Sequence, residues 1–223
     1  MKEVLKIELL RFAVRYHLGQ TSRRLSVSSL LEDGTVLVIK GPSGSGKSTL
    51  LRILARLQSC DSGQVFFRDA GWHTFSPPVW RRKVHYVAQK PAVFSGTVAE
   101  NLKKPYSLKG QKTLFQPDAA QAGMERLLLS REMMEQEART LSGGEAARMA
   151  LLRSVLLNPA VLLLDEPTAA LDDRSRRAVH AYLAEWLAGE TERGIVIVSH
   201  DGDLSAFPQV KQLETGLDGE VER

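Results

Sequence analysis

Apolar residues recur along the chain with two different periods. Residues 6–14 alternate apolar and polar positions, the spacing of a strand with one buried face. Residues 36–39, 65–67, 84–88, 161–164 and 195–198 are further short runs of β-type composition. Val161-Leu162-Leu163-Leu164 and Ile195-Val196-Ile197-Val198 are apolar at every position, which suits strands buried on both faces of a parallel sheet. Helical spacing fills the intervals at residues 48–57, 144–157 and 175–187, the last with Val179, Leu183 and Leu187 on one face. This alternation predicts an α/β fold with a mostly parallel sheet.

Between residues 90 and 140 the pattern changes: no convincing strand, several Pro and Gly interruptions, and a helical stretch at 118–129. We read 90–140 as a helical lobe inserted into a core formed by residues 1–89 and 141–223. No low-complexity tract, long heptad run or repeat of about 20–50 residues interrupts that core. The 223 residues suffice for one large domain or two small lobes around a sizeable core.

Composition narrows the class without naming a chemistry. Hydrophobic residues at 43% and charged residues at 25% exclude disordered and fibrous chains. The net charge of +4 is spread over short groups such as Arg81-Arg82-Lys83 and Lys103-Lys104, which read as solvated faces. Cys60 is the one cysteine, so no intrachain disulfide or Cys-based metal site can form and a reducing compartment fits. The first residues lack the apolar core of a signal peptide, and no apolar run approaches the roughly 18 residues that span a bilayer.

Chemistry enters at Gly41-Pro42-Ser43-Gly44-Ser45-Gly46-Lys47-Ser48-Thr49, a phosphate-binding loop pattern set between a predicted strand and a predicted helix. Glycines let the backbone curl so that its N–H groups and the helix N-terminus meet phosphate oxygens. Lys47 is positioned to reach the β- and γ-phosphates of a nucleotide and Ser48 to ligate Mg²⁺. Asp165 and Glu166 close the apolar run 161–164, where α/β sheets build their ligand sites. Asp165 suits the metal, and Glu166 suits the proton of a water attacking the γ-phosphate.

Leu141-Ser142-Gly143-Gly144-Glu145, with Ser142 lying 23 residues before Asp165, resembles the signature motif of ATP-binding-cassette (ABC) ATPases. The resemblance runs through most of the chain. It implies a RecA-like phosphate-loop NTPase core, an antiparallel β subdomain and an inserted α-helical subdomain. It also implies hydrolysis of ATP with Mg²⁺, and places Gln89 as the loop glutamine that senses Mg²⁺ and the nucleophilic water. Asp172, in Ala170-Leu171-Asp172, matches the loop that crosses the dimer interface. His200 matches the switch histidine on the γ-phosphate, and Tyr16 is the candidate aromatic stacking on adenine. Glu145 stands where the family most often has Gln, and Ala146-Ala147 replace polar residues.

With one loop and one signature per chain, the resemblance implies a head-to-tail homodimer formed on ATP, in which Ser142, Gly143 and Gly144 of one copy meet the γ-phosphate bound by the other. It further implies a separate transmembrane permease whose coupling helix enters a groove of the helical lobe, and hence a place on the cytoplasmic face of the membrane. Phe94, Val98 and Leu102 either line that groove or pack the lobe's core. The chain's end soon after the last predicted strand leads us to expect a minimal motor without an added regulatory domain. The segment 86–102 is most similar to Fet-type (YbbL) iron-exporter subunits, although the cargo would be chosen by the permease. Relatives acting on DNA or ribosomes carry long coiled coils, zinc modules or a second cassette, so no direct nucleic-acid binding is expected.

Overall fold

Strands that are apolar up to their last residue form the centre of the molecule. The computed structural model describes residues 7–18, 24–107, 114–199 and 203–215. Five of its strands form a parallel sheet: β3 (Val36–Lys40), β6 (Val84–Val87), β7 (Val161–Asp165), β8 (Gly194–Val198) and β9 (Val210–Glu214), in the order β6-β7-β8-β3-β9. The register pairs Leu37 with Val196 and Leu163 with Val196, so neighbouring strands end together.

Each central strand serves two cores because successive side chains point to opposite faces. Leu37, Ile39, Leu163 and Val196 join one cluster with helix α1 (Lys47–Leu54) and a second sheet. Val36, Val38, Leu162, Leu164, Ile195 and Ile197 join the other. That second cluster holds α3 (Val98–Lys103), α4 (Pro117–Arg126), α5 (Gly143–Val155) and α6 (Asp173–Gly189). This division explains why residues 161–164 and 195–198 carry no polar side chain.

The second sheet is antiparallel, in the order β2-β1-β4-β5, with β1 at Glu8–His17, β2 at Arg24–Glu32, β4 at Ser62–Phe67 and β5 at Ala70–Gly71. β1 keeps the predicted alternation, with Leu10, Phe12, Val14 and Tyr16 turned inward. β2 was not predicted: Leu25-Ser26-Val27-Ser28 alternates, but Ser29 takes the next inward position and breaks the pattern before Leu31. β9 was missed for a similar reason: Leu213 is its one buried residue. Between residues 90 and 140 the described residues contain no strand, apart from an isolated bridge between Thr97 and Glu137.

Helix α2 (Pro77–Lys83) locks the C-terminal end of α1. Proline at its start fits a helix N-terminus, where an N–H has no intrahelical acceptor. Its Trp80 is fully buried, stacks edge-on against Trp72, and donates its indole N–H to the Leu54 carbonyl at 2.8 Å. That carbonyl belongs to the last turn of α1 and has no acceptor role within the helix. Among the described residues no helix is long and apolar enough to cross a membrane.

Trp80→Ala is expected to destabilise the fold by about 3–5 kcal/mol, since it opens a large cavity and orphans the Leu54 carbonyl. Urea denaturation monitored by circular dichroism measures the loss.

Candidate functional site

The parallel strands deliver their C-terminal ends to one edge, and the candidate residues gather there. β3 runs into the loop at Gly41, whose backbone passes so close to β9 that an added Cβ would lie 2.3 Å from Thr215 Oγ1 and 2.6 Å from the Thr215 carbonyl. Buried Thr215 joins Ser45 by a hydroxyl–hydroxyl hydrogen bond of 2.9 Å and donates to the Lys40 carbonyl at 3.0 Å. A residue near the far end of the chain is therefore the floor of the loop.

Pro42, Ser43 and Gly44 are exposed at the loop's crest, and Gly46 adopts a left-handed φ of 88° that turns the chain into α1. Lys47 is buried, and its ammonium donates to the carbonyls of Gly41 and Pro42 at 2.8 and 2.9 Å. The cation is thus held under the loop. The Thr49 hydroxyl accepts from Arg52 at 3.3 Å, on the exposed side of α1.

Ser48 begins the link to the second strand. Its hydroxyl donates to Asp165 Oδ1 at 2.8 Å, while the Tyr86 hydroxyl donates to Asp165 Oδ2 at 2.9 Å. Asp165 is only 4% exposed, so both donors compensate a buried carboxylate. Burial and then the bond to Asp165 push the Tyr86 phenol well above its ordinary pKa, which keeps it a donor. Ser48 and Asp165 fit Mg²⁺: both offer hard oxygens on one side, and this ion characteristically takes one or two protein oxygens together with substrate phosphates.

Glu166 follows with φ of 48°, a left-handed conformation costly for a side chain of this size. Its N–H donates to the Val198 carbonyl at 3.0 Å, which extends the β7–β8 ladder by one residue and fixes the turn. Gln89, just beyond β6, donates its amide to Glu166 Oε2 at 2.8 Å. Ser48, Tyr86, Gln89, Asp165 and Glu166 thus form a connected set.

Ser142 is the N-cap of α5, in a capping box with Glu145. The Ser142 N–H and hydroxyl donate to Glu145 Oε2 at 2.8 and 2.7 Å, and these bonds hold the Glu145 carboxyl below its usual range. These side-chain bonds stay within the helix's own first turn, with Gly143 exposed beside them. Asp172 caps α6, accepting from the Ser175 N–H at 2.8 Å and its hydroxyl at 3.0 Å, and the same bonds depress its pKa. Neither element is joined to the phosphate loop within the chain by these bonds.

One expectation is corrected. Tyr16 is 2% exposed, sits in the core between β1 neighbours, and donates its hydroxyl to the Gly46 carbonyl at 2.9 Å. Its ring has no free face on which adenine could stack; it braces the turn into α1 instead. The groove residues divide: Phe94 is 40% exposed, whereas Val98 and Leu102 are buried in the second core. His200 lies outside the described residues. Tyr86 and Thr215 were not found from sequence, although a tyrosine hydroxyl three residues before Gln89, between Val84 and Val87, was a usable signal.

Known proteins share this arrangement. Residues 25–169 match the family described as ABC transporter. Over 192 residues the chain is 36% identical to "Probable iron export ATP-binding protein FetA" of Escherichia coli (strain K12), covering 85% of this chain and 83% of that one. It is 37% identical over 195 residues to "Sulfate/thiosulfate import ATP-binding protein CysA" of Vibrio cholerae serotype O1, covering 84% of this chain and 50% of that protein. The chain thus spans about half the length of such sulfate-import relatives. Its fold matches the solved dimeric structure of a post-hydrolysis state of the ATP-binding cassette MJ0796 bound to ADP and Pi, at a TM-score of 0.79 and 25% identity over 96% of this chain and 97% of that one.

Thr215→Val keeps the shape of the residue under the loop but removes both hydroxyl bonds. It is expected to cost about 1–3 kcal/mol of stability and to weaken ATP binding. Thermal unfolding and calorimetric titration with ATP check the two effects.

Proposed function

This chain belongs to the ABC transporter family and is an ATP-hydrolysing, ATP-binding subunit, and on that premise we propose that it works as a head-to-tail pair driving a separate transmembrane permease. The observation that carries the reading is the hydrogen bond from Ser48 to Asp165, because it brings the phosphate loop and the acidic strand end into one site. Residues 1–89 and 141–223 serve as the nucleotide-binding core with its β subdomain, and 90–140 as the helical lobe.

ATP phosphates lie along residues 41–49, where the backbone N–H groups and the N-terminus of α1 meet them. Lys47 exchanges the carbonyls of Gly41 and Pro42 for phosphate oxygens. Ser48 and Asp165 would hold Mg²⁺, which would neutralise charge developing on the phosphates. Glu166 accepts a proton from the attacking water, with Gln89 holding the carboxylate's other oxygen, and His200 contacts the γ-phosphate. Ser142, Gly143 and Gly144 of the second copy complete the site, while Asp172 lies at the crossing between copies. Binding therefore closes the pair, and hydrolysis reopens it.

The permease is proposed to dock in a cleft of about 590 Å³ between α2, β6, α5 and the segments around Pro91 and Lys104. Phe94 and neighbouring prolines give it an apolar surface, and Arg81, Arg82, Lys90, Lys104 and Arg153 line it without an acidic residue. Such a lining favours an acidic segment on the partner. The protein is then peripheral on the cytoplasmic face of the membrane. Similarity to FetA supports metal export, iron foremost, as the transport step, with cargo chosen by the permease.

Glu166→Gln is expected to bind ATP normally while hydrolysis falls at least 10²-fold, as for loss of a general base. Size-exclusion chromatography with ATP should then show an accumulated dimer. Undiminished turnover would remove Glu166 from its assigned role. Reversing the cleft's charge with Arg82→Glu and Lys104→Glu together should abolish copurification of the permease from detergent-solubilised membranes while the isolated protein still hydrolyses ATP.

A further inference from the structure

We propose that Tyr86 is a positioning residue for the Mg²⁺-binding carboxylate, and that it ties Asp165 to the cleft through a single hydroxyl. The inference rests on the reading of Ser48 and Asp165 as the metal pair.

A carboxylate at a strand end can rotate about its Cβ–Cγ bond, which moves both oxygens at once. In Asp165 each oxygen is claimed by a different element: Oδ1 by Ser48 from α1, and Oδ2 by Tyr86 from β6. Were Ser48 and Asp165 to hold Mg²⁺, the Ser48 oxygen would offer a lone pair to the ion while its hydrogen stays available to Oδ1. The Tyr86 bond lies on the opposite oxygen, so it fixes the carboxylate's rotation and keeps Oδ1 aimed at Ser48.

The strand register makes the reach understandable. Tyr86 pairs with Leu163 in the β6–β7 ladder, two residues before Asp165, and a phenol is long enough to span that offset toward the strand end. A phenylalanine at position 86 would keep the ring but lose the one atom that contacts Asp165.

Tyr86 also lines the cleft, together with Pro91, Phe94 and Arg153. Arg153 is itself fixed there, donating to the Ala92 carbonyl at 2.7 Å with its guanidinium 5.2 Å from the Phe94 ring centroid. An occupant of the cleft therefore adjoins the residue whose hydroxyl holds the metal carboxylate. Gln89, between the lining residues Ala88 and Lys90, makes a separate contact with Glu166 at 2.8 Å.

The test is a Mg²⁺ titration of ATP binding, read by calorimetry at fixed ATP against an EDTA reference. For Tyr86→Phe the Mg²⁺ concentration at half-saturation is expected to rise about tenfold, a modest effect for one hydrogen bond to a charged group. ATP affinity in EDTA should not change. Val84→Ala, on the same strand, should lower the unfolding temperature without moving the Mg²⁺ midpoint, which separates positioning from simple loss of stability. Asp165→Asn should shift the midpoint more than Tyr86→Phe does. An unmoved midpoint in Tyr86→Phe alone overturns the role of Tyr86, whereas an unmoved midpoint in Asp165→Asn overturns the metal reading beneath it.

Discussion

The hydrogen bond between Ser48 and Asp165 is the constraint around which the rest of the structure is arranged. It spans 117 positions of sequence and joins the N-terminus of α1 to the end of β7. For it to form, β3 and β7 must end at matching heights in one sheet, and β8 between them must hold the register. The loop must also deliver Ser48 from the other side, which requires the close passage of Gly41 over Thr215 and the left-handed turn at Gly46. Asp165 is buried because all of this closes around it.

Strain and compensation sit on neighbouring residues. Glu166 is held in a left-handed conformation by a ladder bond to Val198, and its carboxylate is met by Gln89. This is the pattern expected where a side chain must be presented rather than packed. Tyr86 spends a phenol on the same problem, since a buried carboxylate with one unmatched oxygen would be costly. The proposed docking cleft and the proposed metal pair thus share one residue of β6, Tyr86.

How much could be read beforehand follows from the range of each interaction. The phosphate loop, the Asp165-Glu166 pair and the Ser142–Glu145 cap are local, so their spacing carried the signal. The Ser45–Thr215 bond joins residues 170 positions apart and leaves no trace in either segment. β9 was invisible because only Leu213 needs to be apolar, and β2 because Ser29 interrupts its inward series between Val27 and Leu31. Tyr16 shows a different failure. Its place after Leu10, Phe12 and Val14 already marked it as inward-facing, and that alternation outweighs the aromatic's position near the loop.

The carbonyls of Gly41 and Pro42 around the Lys47 ammonium have one more implication. A lysine so solvated by its own loop offers little to a weakly charged visitor, because entry means giving up two good dipoles. Only a group carrying enough negative charge on closely spaced oxygens makes the exchange favourable. The loop therefore sorts anions by charge density before shape or base identity has any part in the choice.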